Sequence, residues 1–317
     1  MIPRLVAIYA LDVYFGIGMV FAIVFGVMKK MKNKLNDEMG YFKGMPKGTY
    51  CEVLDEMMHT KVNSSVTSSI PLAEFWQPDN LVRMQKILNP HLAGLTLEKG
   101  LKFFEMPVDP IWRGKVVGRP SMSDLYIEDA NWQVAVEGKY TEYARMPSQT
   151  IFEWLSDVKA GAGFMLRRTV ARAWLSYIHD AGCTDLGGYS SLLTECKDVC
   201  YQFLHRTASA CFKAKENAGK KPVLIYQLFF NAGDKAQIAS RDSFVADLKR
   251  WARMLKLKNM KFLIVCVPVK NAASVAERYG NLVGQDAAIL FDKMKLETIY
   301  DFDFDGISVE DVLQEAN

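Results

Sequence analysis

The stretch Ser121–Glu142, SMSDLYIEDANWQVAVEGKYTE, decides how the chain reads. It predicts two short strands joined by a polar turn. The first carries Asp124, Tyr126, Ile127 and Glu128. Asp129, Ala130 and Asn131 supply the turn, since short polar side chains bond to their own backbone there. The second runs from Trp132 to Tyr140 around Val134, Ala135 and Val136. Side chains alternate along a strand, so Glu137 and Lys139 share a face. Pairing as a hairpin brings Asp124 to that face too. Two carboxylates and one ammonium then converge beside a sheet. Acidic oxygens so close repel unless a hard cation sits between them, and with oxygen ligands that cation is normally Mg²⁺. The lysine can orient an attacking water and offset charge on a phosphate.

At these positions the chain resembles the PD-(D/E)XK nuclease superfamily. Asp124 matches the first acid, Glu137 the second, Gly138 the variable position and Lys139 the lysine. Ser123 stands where the motif has proline, and Pro120 lies just upstream. The longer form VEGKYTE is similar to a group of bacterial restriction endonucleases. The resemblance covers roughly residues 85 to 270, more by order of elements than by identity.

The resemblance implies an α/β fold with a restriction-endonuclease-like mixed central sheet flanked by helices. It implies Mg²⁺-dependent hydrolysis of DNA phosphodiester bonds, with Mn²⁺ as a substitute metal. Asp124 and Glu137 would bind the metal, the Gly138 carbonyl being an extra ligand, and Lys139 would position or help deprotonate the water. Two outlying contributions follow from the same resemblance. A further acid, Glu98 or Glu105, would come from a helix before the sheet, expected over Leu97–Phe104. Gln202 or His205 would come from the helix after the lysine strand. The plainer reading of Glu98 and Glu105 is a solvated helix face, and of an isolated Asp…Glu-x-Lys a turn residue and a solvated strand face.

Half of the 317 residues are apolar, which suits one large domain or two small ones. Lys and Arg total 39 against 36 Asp and Glu, so the chain lacks the strong basic balance of a general nucleic-acid binder. A local basic face beside a cleft stays compatible with that total. Six cysteines in a chain this long do not form a disulfide framework. His179, Cys183, Cys196 and Cys200 are spaced more widely than the tight cysteine pairs of zinc sites, and core use is the plainer reading.

Residues 5–28, LVAIYALDVYFGIGMVFAIVFGVM, form the most apolar stretch, interrupted by Asp12. They are long enough to be a transmembrane helix. Lys29, Lys30, Lys32 and Lys34 follow at once, which puts the C-terminal side in the cytoplasm. The expected organisation is an anchor over 1–30, a juxtamembrane linker over 31–70 and a nuclease-like domain over 71–317. A later start, such as Met31, would instead leave a soluble cytoplasmic protein.

The remaining elements follow from periodicity. A helix is expected over Asp79–Leu88 and a first strand over Ile111–Val117, completing a three-stranded meander with the Asp124 and Glu137 strands. Residues 147–178 read as helix broken at Gly161 and Gly163. Arg167, Arg168 and Arg172 on its second part are candidates for the DNA backbone, or a solvated helix face. A long helix is expected over Leu192–Lys215. Val223–Phe230 and Lys261–Val269 read as buried strands, linked by an amphipathic helix over Ser240–Leu257 and hence parallel. The acidic tail reads as a strand or turn, then a short helix from Ser308. Two other functions fit the sequence: a membrane-tethered interaction protein on a nuclease-like fold that does not cleave, and a metal-dependent RNase.

Overall fold

The computed structural model describes residues 40–59, 65, 67–145, 149–157, 163–212, 219–280 and 282–314. The apolar stretch 5–28 lies outside them. Among the described residues no helix is long and apolar enough to cross a membrane.

The hairpin forms as its sequence requires. Strand β6 (Ser121–Glu128) pairs antiparallel with β7 (Trp132–Lys139), Leu125 facing Val136. Asp129 closes the turn, its Oδ1 accepting from Asn131 N at 2.8 Å and Trp132 N at 2.7 Å. Around this pair stand β1 (Gly40–Phe42), β2 (Met45–Pro46), β3 (Leu101–Val108), β8 (Lys221–Phe230), β9 (Lys261–Pro268) and β10 (Ser308–Asp311). They make an eight-stranded mixed sheet in the order β10-β9-β8-β7-β6-β3-β1-β2. Strands β7, β8 and β9 run parallel, and β3 and β6 antiparallel.

Both faces of the sheet are covered, which is why its central strands read as unbroken apolar runs. One layer contains α1 (Tyr50–Met58), α2 (Ser69–Phe75), α3 (Pro78–Leu88), α9 (Ala272–Tyr279) and α10 (Ile289–Met294). The other contains α4 (Ile151–Ser156), α5 (Phe164–Asp180), α6 (Tyr189–Glu195), α7 (Tyr201–Cys211) and α8 (Lys235–Met254). Capping boxes start α1 at Thr49–Glu52 and α4 at Thr150–Glu153.

The body begins upstream of Pro71. Tyr41 pairs with Phe103, and Val53 and Leu54 of α1 are wholly buried, so part of the expected linker is core. The segment expected as a helix over Leu97–Phe104 is a turn leading into β3. Adjacent Phe103 and Phe104 enter the two opposite layers, a demand that only a strand meets. Ile111–Val117 is not a strand of the sheet but a small hairpin, β4 (Ile111–Trp112) and β5 (Lys115–Val116), turned by Arg113 at φ +52° and Gly114 at φ +76°. The long helix expected over Leu192–Lys215 is broken between Glu195 and Tyr201. There the carbonyls of Lys197 and Val199 accept from Phe152 N and Ile151 N at the start of α4. The tail helix expected from Ser308 is strand β10, which extends the sheet along β9.

Candidate active site

The registers of the ladders show how the acids meet. Phe104 faces Leu125 and Met106 faces Ser123, so Glu105 stands opposite Asp124. Leu125 faces Val136, so Asp124 in turn stands opposite Glu137. Glu137 faces Tyr226 on β8. Glu105, Asp124 and Glu137 thus form one row across three strands.

Pairing is interrupted at this row: the β3–β6 ladder skips Glu105 and Asp124 and resumes at Met106 and Ser123, and the β6–β7 ladder stops at Leu125 and Val136. Glu105 has φ +49°, a left-handed conformation that a carboxylate side chain rarely adopts mid-strand. Asp124 Oδ2 takes the place of a main-chain acceptor, receiving Gly138 N at 2.8 Å. A strand residue's N–H and C=O point to the same side, so the Gly138 carbonyl also faces β6. Gly138 has no room for a larger residue. A Cβ would come within 2.9 Å of Leu72 Cδ1 and 3.0 Å of Ser68 Cβ. Glu142 fastens the same end, accepting from Ser68 Oγ at 2.8 Å and from Tyr140 N at 2.6 Å.

Glu137 is the hub. Its Oε1 accepts from Lys139 Nζ at 2.6 Å and from Gln202 Nε2 at 3.0 Å. Its Oε2 meets Arg206 Nε in an ion contact that is not an aligned hydrogen bond. Gln202 and Arg206 lie one helical turn apart on α7 and so face the sheet together. Arg206 Nη1 also donates to Ser121 Oγ at 2.8 Å, and Ser121 Oγ lies 2.8 Å from His205 Nδ1.

Charges in the cluster are divided by their neighbours. Burial would raise Glu137, but Arg206 and Lys139 outweigh it and hold the carboxyl below its ordinary range. Burial would lower Lys139, yet Glu137 and Asp124 raise it. Asp124 is raised well above its ordinary range by burial and by the Glu137 charge, against Lys139 and Arg206. Glu105 is pushed up to about 7 by burial, with Arg206 opposing and Glu137 adding to the rise. The row therefore favours ionisation at Glu137 over Asp124 and Glu105, unless positive charge arrives.

Among the described residues no three Asp, Glu, His or Cys side chains are arranged to hold a metal. The donor set itself suits a hard cation: carboxylate oxygens and a main-chain carbonyl, without sulfur or imidazole. Binding through Glu137 Oε2 would require Arg206 to give way. The remaining candidates separate. Glu98 lies in an exposed turn before β3, apart from the row. Arg167 is buried, its Nη1 donating to the Trp154 carbonyl and its Nη2 lying 3.6 Å from Asp157 Oδ2. Arg168 and Arg172 instead flank the Tyr189 ring at 5.3 and 4.8 Å, so the three arginines form no single patch. His179 is exposed whereas Cys183, Cys196 and Cys200 are buried. The residue missed from sequence is Arg206; its signal was its i+4 spacing from Gln202 in QFLHR.

The family described as Domain of unknown function (DUF6946) matches residues 50–271. The chain belongs to that family. No curated protein and no solved structure matches it. The DUF6946 region runs from the first residue of α1 to just beyond β9, so it contains the acidic row, Lys139, Gln202 and Arg206. It leaves out β1, β2 and β10 at the sheet margins. The DUF6946 region is thus the part of the molecule that builds the site.

Proposed function

We propose that this chain is a Mg²⁺-dependent endonuclease that hydrolyses DNA phosphodiester bonds on a restriction-endonuclease-like fold of the PD-(D/E)XK type. One observation carries the reading: Asp124 and Glu137 stand opposite each other on adjacent strands, with Lys139 2.6 Å from Glu137. An isolated structural ion pair would need neither the second carboxylate in register nor a third, Glu105, beyond it.

Asp124, Glu137 and the Gly138 carbonyl are the groups that would hold the cation, which when bound supplies Lewis-acid polarisation of the phosphate and an activated water. The chain's own part is positional. Lys139, kept cationic by Glu137 and Asp124, orients the attacking water and stabilises the extra negative charge at phosphorus in the transition state. Gln202 fixes the Glu137 carboxylate through its Oε1. Arg206 ties Glu137 to Ser121 and sets the distance between α7 and the sheet. Catalysis on DNA in the cytoplasm, with tethering through residues 5–28, completes the proposal and rests on sequence alone.

Lys139→Ala tests it. The variant is expected to keep the wild-type circular dichroism spectrum and lose Mg²⁺-dependent cutting. Cutting retained in that variant excludes the assignment.

A further inference from the structure

Beyond Arg206, the surface beside Ser121 opens into a cleft of about 850 Å³. Its wall is aromatic. Trp154 and Tyr201 stack with centroids 3.7 Å apart and planes 7° from parallel. Trp174 Nε1 donates to the Tyr201 hydroxyl at 3.1 Å, fixing the pair. Arg167 lies over Trp154 at 5.4 Å and brings a buried positive charge to the same wall. Ser121 and His205 also line the cleft. His205 Nδ1 is engaged by Ser121 Oγ, so Nε2 is the ring's remaining polar atom. Burial, with Arg206 and Lys139 nearby, keeps the imidazole neutral. Arg119 and Leu166 line it too, and both are exposed.

We propose that this cleft binds one unstacked nucleotide of a nucleic-acid strand, its base against the Trp154–Tyr201 wall and its phosphate on Arg119. The volume suits a ligand of nucleotide size. Aromatic rings, guanidinium planes and a base-edge hydrogen-bonding group are the means by which proteins hold unpaired bases. The phosphate charge is matched by Arg119 at the exposed mouth, while Arg167, held by the Trp154 carbonyl and Asp157, braces the wall. Ser121 joins cleft to site: its hydroxyl receives Arg206, and Arg206 contacts Glu137. A nucleotide seated here holds its neighbouring phosphodiester toward the acidic row, an alignment that rests on the nuclease reading. The unstacked nucleotide has two sources, a single strand or a base flipped from a duplex.

Fluorescence anisotropy of the full chain in EDTA distinguishes them. The probes are one labelled oligonucleotide as a single strand, as a perfect duplex and as a duplex with one mismatch. The variants are Arg119→Ala and Leu166→Glu, both at exposed positions. The single strand is expected to bind about tenfold tighter than the perfect duplex, and each variant to lose most of that margin. Tightest binding of the mismatched duplex, lost in the same variants, assigns the flipped-base source. Affinities that the variants leave unchanged, or no binding of any probe, overturn the proposal. Cutting of the same probes with Mg²⁺ separates the two readings. Glu137-dependent cutting that both variants leave intact keeps the nuclease and removes the cleft's role. Cleft-dependent binding without any cutting does the reverse.

Discussion

Glu105 faces Asp124 across the β3–β6 ladder with its own backbone at φ +49°. A left-handed backbone and a desolvated carboxyl in mid-sheet are unfavourable twice over, in conformation and in burial of a polar group. Such features persist where a bound charge repays them. Glu105→Gly removes both penalties, so it is expected to stabilise the fold in EDTA by about 1–3 kcal/mol. The same change should weaken Mg²⁺-dependent cutting. Urea unfolding beside a cleavage assay checks both signs, and a destabilised or fully active variant contradicts the trade-off.

Arg206 and Glu137 form a buried ion contact, their side chains about one-tenth and one-fiftieth exposed. Removing one partner leaves the other charge without compensation. Arg206→Met is expected to destabilise by about 3–5 kcal/mol. Glu137→Gln in the same background should recover part of that loss, because it removes the stranded carboxylate. A double-mutant cycle by urea denaturation measures the coupling; additive losses contradict it.

On the opposite layer Glu74 accepts from Ile299 N at 2.6 Å and Tyr300 N at 2.9 Å. Burial pushes its carboxyl up from 4.5 to about 7, while those two N–H groups oppose the rise. A carboxyl raised in the folded state binds its proton more tightly there than in the unfolded chain. Its contribution is present in full below the unfolded value and is lost as pH rises through about 7. Glu105 shifts in the same direction. Stability in EDTA is therefore expected to fall between pH 5 and 8, and Glu74→Gln to make that fall shallower by roughly 1–3 kcal/mol. Parallel curves for the two proteins contradict the expectation.

The alternation in YIEDANWQVAVEGK exposes the hairpin and puts Glu137 and Lys139 on one face from sequence alone, because period two depends only on local backbone geometry. The parallel β7–β8–β9 core was equally legible from its apolar runs. Glu105 was a candidate, but on a helix: KFFE has no alternation of polarity, since both phenylalanines are buried in a two-sided sheet. The i+4 spacing from Gln202 puts Arg206 on the same helix face, but its partner Ser121 lies 85 residues earlier, so the spacing does not say what it meets. The arginines of α5 looked like one patch, yet consecutive helical residues point about 100° apart, so Arg167 turned inward while Arg168 turned to Tyr189. Gly138 read as a variable position, whereas the pressure of Ser68 and Leu72 on its outer face is a tertiary fact.

The most direct measurement is cleavage of plasmid and single-stranded DNA by the full chain, with Mg²⁺ and with EDTA, beside Glu137→Ala. The expected result is cutting that needs Mg²⁺ and disappears in the variant. Folded protein that cuts neither DNA under any of these conditions, or cutting that survives Glu137→Ala, contradicts a nuclease built on the acidic row.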